Sequence, residues 1–243
     1  PVQAAALPAI LEGRDVRAQA KTGSGKTAAF GIGLLQQIDV TQFTTQALVL
    51  CPTRELADQV SKELRRLARF TQNIKILTLC GGQPISHQLD SLVHAPHIVV
   101  GTPGRIQEHL RKKSVSLDAM KVLVLDEADR MLDMGFADAI DDVISYTPTS
   151  RQTLLFSATY PQGIERISAR IQREPVNIET GDVSALPDIE QQFYETSRGE
   201  KLALLQALLS NLQPASCVVF CNTKRDCQDV YEALSGQNIS VLA

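Results

Sequence analysis

Short apolar runs alternate with longer amphipathic stretches along most of this chain. The runs are A-L-V-L-C (Ala47 to Cys51), I-K-I-L-T-L (Ile74 to Leu79), H-I-V-V (His97 to Val100), V-L-V-L (Val122 to Leu125) and T-L-L-F (Thr153 to Phe156). Each is brief, rich in Val, Leu and Ile, and bounded by turn-forming residues, which reads as a strand buried on both faces. Between them, Arg54 to Phe70 and Phe136 to Ile144 carry apolar residues at helical spacing. Strands alternating with helices predict βαβ units, and so an α/β fold with a parallel sheet covered by helices on both faces.

The periodicity breaks at Glu179 to Asp188, E-T-G-D-V-S-A-L-P-D, where Gly, Ser, Pro and acids gather as in a linker. A second alternating unit follows. It holds I-E-Q-Q-F-Y-E, the amphipathic K-L-A-L-L-Q-A-L-L, a buried-type strand C-V-V-F-C (Cys217 to Cys221), another helix and I-S-V-L-A. The expected organisation is a first domain over 1–178, a linker over 179–188 and the incomplete beginning of a second domain over 189–243. That last piece is near the lower size limit of a stable domain and reads as cut short.

With 243 residues, 44% hydrophobic and 21% charged, the chain fits one large or two small globular domains and excludes a disordered tail, a collagen-like fibre and a coiled coil. No apolar run approaches the roughly 18 residues needed to cross a bilayer, and the opening P-V-Q-A-A-A-L-P has no basic region, so a cytoplasmic location is expected. The five cysteines, Cys51, Cys80, Cys217, Cys221 and Cys227, sit mostly in apolar runs, where a buried thiol is the default. Their spacing lacks C-x-x-C, and His87, His94, His97 and His109 are remote from the last three, so neither disulfides nor zinc is expected.

A net charge of −3 argues against wholesale electrostatic attraction to nucleic acid. Charge is nevertheless local. Arg54, Lys62, Arg65, Arg66 and Arg69 form one basic group and Arg105, Arg111, Lys112 and Lys113 another, whereas Asp126 to Asp142 holds seven acids against Arg130 alone.

Chemistry enters at A-K-T-G-S-G-K-T, Ala20 to Thr27, which matches the phosphate-binding loop G-x-x-x-x-G-K-[ST] except that Ala20 replaces the first Gly. Gly23 and Gly25 let backbone N–H groups approach phosphate oxygens, Lys26 supplies a point charge, and the Thr27 hydroxyl suits Mg²⁺. Lys21, Thr22 and Ser24 complete the loop. A nucleotide site also needs a carboxylate at a neighbouring strand end, and K-V-L-V-L-D-E-A-D supplies Asp126 for the metal and Glu127 to orient or deprotonate the attacking water. Taken alone, the acids also read as an acid-rich helix start favoured by the helix dipole.

Together these two stretches resemble the DEAD-box RNA helicases of superfamily 2. P-T-R-E-L (Pro52 to Leu56), G-G (Gly81, Gly82), T-P-G-R (Thr102 to Arg105), D-E-A-D (Asp126 to Asp129), S-A-T (Ser157 to Thr159) and V-F-C-N-T (Val219 to Thr223) occur in that family's order. G-G-Q-P and L-D-M-G-F (Leu132 to Phe136) look most like its bacterial DbpA-type subfamily. The resemblance implies two RecA-like P-loop NTPase domains, ATP and Mg²⁺ as cofactors, and RNA as partner, ribosomal RNA or pre-ribosomal particles included, for a monomeric enzyme that separates RNA duplexes. Gln3 then matches the adenine-recognising glutamine, although the upstream aromatic residue completing that motif is not among these residues. Lys26, Asp126 and Glu127 become catalytic. Pro52, Thr53, Arg54, Gly81, Gly82, Thr102, Gly104 and Arg105 become contacts to the RNA backbone. Asp129, Ser157 and Thr159 would couple the nucleotide to strand separation through a hydrogen bond.

Without the family, T-P-G-R and P-T-R-E-L also read as capped helix starts. The sequence ends at Ala243, before the family's H-R-x-G-R arginine finger, so this chain by itself is expected to bind nucleotide and hydrolyse it poorly. Three rivals share most of these residues: a superfamily 2 DNA translocase, an ATP-dependent RNA clamp or annealing factor, and a small-molecule phosphoryl-transfer enzyme.

Overall fold

A computed structural model describes residues 2–21, 23–179, 190–197, 199–236 and 239–242. The chain divides into two compact units, Pro1–Val183 and Ser184–Ala243.

The first unit is built on a seven-stranded sheet in the order β3-β4-β2-β5-β6-β1-β7, every described pairing parallel. Its strands are β1 (Val16–Gln19), β2 (Ala47–Leu50), β3 (Ile76–Leu79), β4 (Ile98–Gly101), β5 (Val122–Asp126), β6 (Gln152–Ser157) and β7 (Val176–Glu179). The predicted apolar runs account for β2 to β6. Their side chains alternate between two buried layers. Val49, Val122, Val124, Leu154 and Phe156 face one core, while Leu48, Leu50, Leu123, Leu125 and Leu155 face the other. This is why the runs show no polar alternation.

The first core is closed by α1 (Val2–Leu11), α2 (Lys26–Gln37) and α3 (Arg54–Leu67), through residues such as Ile10, Phe30, Leu34, Val60 and Leu64. The second is closed by α5 (Pro103–Arg111), α6 (Ala128–Asp133), α7 (Ala137–Ser145) and α8 (Gln162–Ile171), with Ile106, Met131, Ile140 and Ile167 pointing inward. A short helix, α4 (Ile85–Ser91), follows β3. Helices therefore cover both faces, as the sequence pattern predicts.

The second unit departs from the prediction. It contains α9 (Lys201–Leu212) and α10 (Lys224–Ser235), and among its described residues there is no strand. Cys217 to Cys221, expected as a buried strand, instead leaves Val218 76% and Phe220 92% exposed. A buried parallel strand needs neighbours to accept its backbone hydrogen bonds, and these residues supply none. The expected linker lies outside the described residues except for Glu179, which ends β7.

The cysteines follow the same division. Cys51 and Cys80 are buried, and burial pushes both thiols up, Cys80 to about 11. Cys217 is exposed, contrary to the expectation for an apolar run, because no strand among the described residues of its unit covers the segment. Among the described residues no helix is long and apolar enough to cross a membrane, and no group of three or more His, Cys, Asp or Glu is arranged around a metal.

Two glycines explain how α2 sits between its neighbours. A Cβ on Gly33 would stand 2.1 Å from Ile10 Cγ2 of α1, and one on Gly31 would stand 2.8 Å from Leu67 Cδ1 of α3. The F-G-I-G sequence thus gives up helix propensity to let two helices approach closely. Gly33→Ala is expected to lower stability by about 1 kcal/mol, overpacking outweighing the gain in helix propensity. In an Ile10→Leu background, which lacks the β-branched methyl, the loss shrinks or reverses. Urea denaturation of the two single variants and the double variant measures this coupling.

Candidate functional site

The phosphate-loop motif occupies the turn from β1 into α2. Ala20 is buried and its N–H donates to the Ser157 carbonyl at 2.9 Å, extending the β1–β6 pairing one residue past the strand. An alanine suffices there, since the position is strand-like and packed. Gly23 and Gly25 take left-handed conformations with φ of 82° and 86°, which a side chain would resist. Gln3 Nε2 donates to the Gly25 carbonyl at 3.2 Å, and a Cβ on Gly25 would come within 2.5 Å of that nitrogen. α1 thereby braces the loop. Lys21 is exposed, Ser24 holds a buried hydroxyl with no hydrogen-bond partner among the described residues, and Thr22 lies outside them.

Lys26 opens α2 and is only 4% exposed. Its Nζ lies 2.9 Å from Asp126 Oδ1 and 3.6 Å from Glu127 Oε1, both carboxylates being buried as well. Asp126 ends β5, and Glu127 follows with φ 53° and ψ 53°. A non-glycine residue held there costs on the order of 1–3 kcal/mol, the kind of strain that gathers at functional sites. Here it turns two consecutive carboxylates toward one ammonium. Burial raises the Asp126 carboxyl above its ordinary range, with the Lys26 ammonium opposing that shift. Asp126 Oδ2 is buried and makes no well-formed hydrogen bond among the described residues.

That oxygen and the Thr27 hydroxyl, half-buried in the first turn of α2, are hard oxygen donors facing the phosphate loop. They fit Mg²⁺, which keeps several waters and arrives with phosphates, needing only one or two protein ligands. An open cleft of about 820 Å³ lies over them, bordered by Gln3, the glycine loop, Glu127 and α3. Arg130 Nη1 reaches Glu127 Oε2 at 3.3 Å from one turn along.

S-A-T follows β6. Thr159 donates to Asp129 Oδ2 twice, from its hydroxyl at 2.8 Å and its N–H at 2.9 Å, while the Asp129 N–H donates to Ser157 Oγ at 3.1 Å. The D-E-A-D helix is therefore tied directly to the loop after β6. A further tie comes from Gln19 Nε2, which donates to the Ala158 carbonyl at 3.1 Å.

The other candidate residues follow β2, β3 and β4, so they share the carboxyl edge of the sheet with the nucleotide loops. Thr53 caps α3, its Oγ1 accepting from the Leu56 N–H at 3.2 Å, and Arg54 is exposed beside it. Pro52 is buried and has no surface to offer. Gly81, Gly82 and Gly104 are exposed, with open space where a Cβ would stand. Thr102 precedes α5 without a side-chain capping bond, its side chain and N–H instead lying against the Cys80 thiol. Arg105 is a different case. Its side chain is 11% exposed, with Nη2 on the Gln83 carbonyl at 2.9 Å and Nε 3.2 Å from Glu108. It acts as a strut in this structure, not as an open cation.

Comparison with known proteins agrees with this geometry. The family model described as "DEAD/DEAH box helicase" matches residues 1–167. The chain belongs to the DEAD/DEAH box helicase family. Among curated members, it is 71% identical over its whole length to the ATP-dependent RNA helicase DbpA of Escherichia coli (strain K12), covering 53% of that protein. It is 43% identical to the DEAD-box ATP-dependent RNA helicase CshA of Geobacillus kaustophilus (strain HTA426), over 97% of this chain and 50% of the relative. A crystal structure of a DEAD box protein from the hyperthermophile Methanococcus jannaschii superposes with a TM-score of 0.71 at 35% identity, covering 97% of this chain and 63% of that one. The chain thus spans about half the length of the curated family members it matches.

Sequence reasoning missed Arg130 on Glu127 and Gln19 on Ala158. The i, i+3 spacing on one helix could have suggested the first. The second joins residues far apart in sequence and leaves no local signal.

The Asp129 pairing has a pH signature. Burial alone would raise its carboxyl, but the bonds from Thr159, with Ser157 and the Arg130 N–H, outweigh this and hold it below the ordinary aspartate value of 3.8. A carboxylate depressed in the folded state adds stability that is fully present above its unfolded value and fades as the pH falls through the folded one. Wild type should therefore exceed Asp129→Asn in stability at neutral pH, and the gap should close below about pH 4. Urea midpoints measured across that range test this.

Proposed function

We propose that this chain is the nucleotide-binding and leading RNA-binding part of an ATP-dependent RNA helicase that couples ATP hydrolysis to local separation of RNA duplexes. The observation that carries the proposal is the buried Lys26–Asp126–Glu127 cluster at the foot of the phosphate loop. On this reading 1–178 is the first RecA-like domain, 179–188 the linker and 189–243 the start of a second. The 71% identity to an RNA helicase supports RNA over DNA as the partner.

Each residue then has a defined task. The Gly23 and Gly25 backbone and the start of α2 receive the phosphates, and Lys26 turns its ammonium to the β and γ groups. Thr27 and Asp126 would hold Mg²⁺, which neutralises charge developing on the transferring phosphate. Glu127 orients the attacking water and takes its proton, with Arg130 steadying its second oxygen. Gln3 bridges the phosphate loop to the adenine side. Thr53, Arg54, Gly81, Gly82, Thr102 and Gly104 grip the RNA sugar-phosphate backbone with hydroxyl, N–H and guanidinium donors, which position a strand without reading its sequence. Such local donors explain how a chain of net charge −3 would hold RNA. Asp129, Ser157 and Thr159 transmit the nucleotide state. The setting is cytoplasmic, the enzyme monomeric, and ribosomal RNA or pre-ribosomal particles are the proposed targets.

ATP turnover tests the reading, measured with structured RNA, matching DNA or neither, on the protein extended through a complete second domain. RNA-specific stimulation is expected. Glu127→Gln should lower turnover by roughly 10²- to 10⁴-fold while nucleotide still binds, whereas Lys26→Met should remove nucleotide binding itself. The 243-residue chain alone should bind nucleotide and turn it over slowly. Equal stimulation by DNA would move the assignment to a general translocase, and turnover indifferent to both would remove RNA from the account. ATP-dependent retention on single strands without duplex separation would indicate a clamp.

A further inference from the structure

The G-G loop after β3 has little of its own to hold it. Gly81, Gly82, Gln83 and Pro84 are all exposed, and Gly82 needs a left-handed φ of 80°. What fixes the loop comes from behind, through a chain of polar groups. Gln88 Nε2, on α4, donates to the Cys80 carbonyl at 2.9 Å. Gln88 Oε1 lies 2.9 Å from His109 Nε2, on α5, and His109 Nδ1 lies 2.8 Å from Ser114 Oγ. Gln88 is 6% exposed and His109 0%.

At its Gln88 end this chain of groups has a single proton order. A carbonyl only accepts, so Gln88 turns its NH₂ to Cys80 and its oxygen to His109. His109 therefore carries a proton on Nε2, and its Nδ1 pairs with Ser114 Oγ, whose hydroxyl also lies 3.1 Å from the His109 carbonyl. Burial holds the imidazole below the ordinary histidine range; Arg105 acts in the same direction, Glu108 against it and Lys112 with it.

The far end of the loop is pinned from the same helix. Arg105 Nη2 holds the Gln83 carbonyl, and Arg105 and His109 stand four residues apart on one face of α5. One helix face thus fixes both ends of the glycine loop, one of them through Gln88. The N-terminus of that same helix carries Thr102 and Gly104.

We propose that Gln88 and His109 are positioning residues for RNA: they lock the G-G loop and the N-terminus of α5 into one fixed spacing, so that both grip the same strand. The inference rests on the RNA-helicase reading. Backbone donors on a glycine loop bind weakly if the loop must first be ordered, and a preset loop avoids that cost.

The test uses the protein extended through a complete second domain. Gln88→Met keeps the side chain's length and removes its hydrogen bonds; His109→Phe keeps a ring and removes both nitrogens. Each should raise the RNA concentration giving half-maximal ATP turnover by about tenfold, the scale of one good hydrogen bond. Turnover at saturating RNA and nucleotide affinity without RNA should stay near wild type. His109→Gln, whose amide can still donate to Gln88, should recover most of the loss. In RNA-free protein, hydrogen exchange at residues 81–83 should quicken in Gln88→Met while the phosphate loop is unaffected. If His109→Phe does not fold, Gln88→Glu replaces it, setting a carboxylate against the Cys80 carbonyl while leaving an acceptor for His109. An unchanged RNA requirement, or an equal loss of RNA-free nucleotide affinity, overturns the inference. Failure of the helicase reading is distinguishable, because wild type itself would then ignore RNA.

Discussion

Everything placed at this site depends on the parallel register of the sheet. Leu79, Leu50 and Leu125 stand level through their pairings with Gly101 and with each other, and Gln19 stands level with Ser157. A parallel strand returns only by a crossover, so each of these strands leaves its carboxyl end through a loop that starts a helix. Six loops that carry motifs consequently open on one edge. Gly101 shows how tight that edge is, since a Cβ there would lie 2.2 Å from the Leu79 carbonyl. The sheet order then divides the work. β3, β4 and β2 present hydroxyls, glycines and one exposed arginine, while β5, β6 and β1 present the buried charges.

Those charges are unbalanced by themselves. Lys26 faces two carboxylates in a region from which water is largely excluded, and Arg130 touches only the rim, its side chain 63% exposed. A buried ion pair seldom stabilises a fold outright, because desolvation cancels much of the attraction. The cluster is better understood as a receptor. A bare triphosphate would meet two negative side chains, whereas one carrying a divalent cation reverses the local sign. Burial raises the Asp126 carboxyl, the neighbouring Glu127 charge adds to that, and Lys26 opposes both.

How much of this was legible in the sequence depended on whether a feature is local. β2 to β6 were readable because both their faces are buried, which writes an unbroken apolar run. β1 and β7 were not. V-R-A-Q and V-N-I-E mix in polar residues, β7 because it is an edge strand with one face near solvent. The phosphate loop and the consecutive carboxylates are contiguous, so their chemistry could be read directly. Gln88 and His109 could not be paired in advance, since 21 residues separate them and only the packing of α4 against α5 brings them together. Cys217 to Cys221 failed in the opposite way: the local pattern says strand, but a strand is completed by neighbours that the described residues do not include.

Within the half that carries the buried charges, β5 and β6 lie side by side. Glu127 and Asp129 belong to one short turn of chain, and Asp129 is fastened to Thr159 by two hydrogen bonds. Those bonds stiffen the connection between the turn that carries Glu127 and the loop after β6, among packed neighbours. Arg105 and His109 confer a comparable stiffness on the β3–β4 side. What the edge offers a ligand is thus a set of backbone and hydroxyl donors already fixed by side chains behind them. Arg105 and Asp129 are the charged side chains that act in this way, each engaged with a loop at the edge.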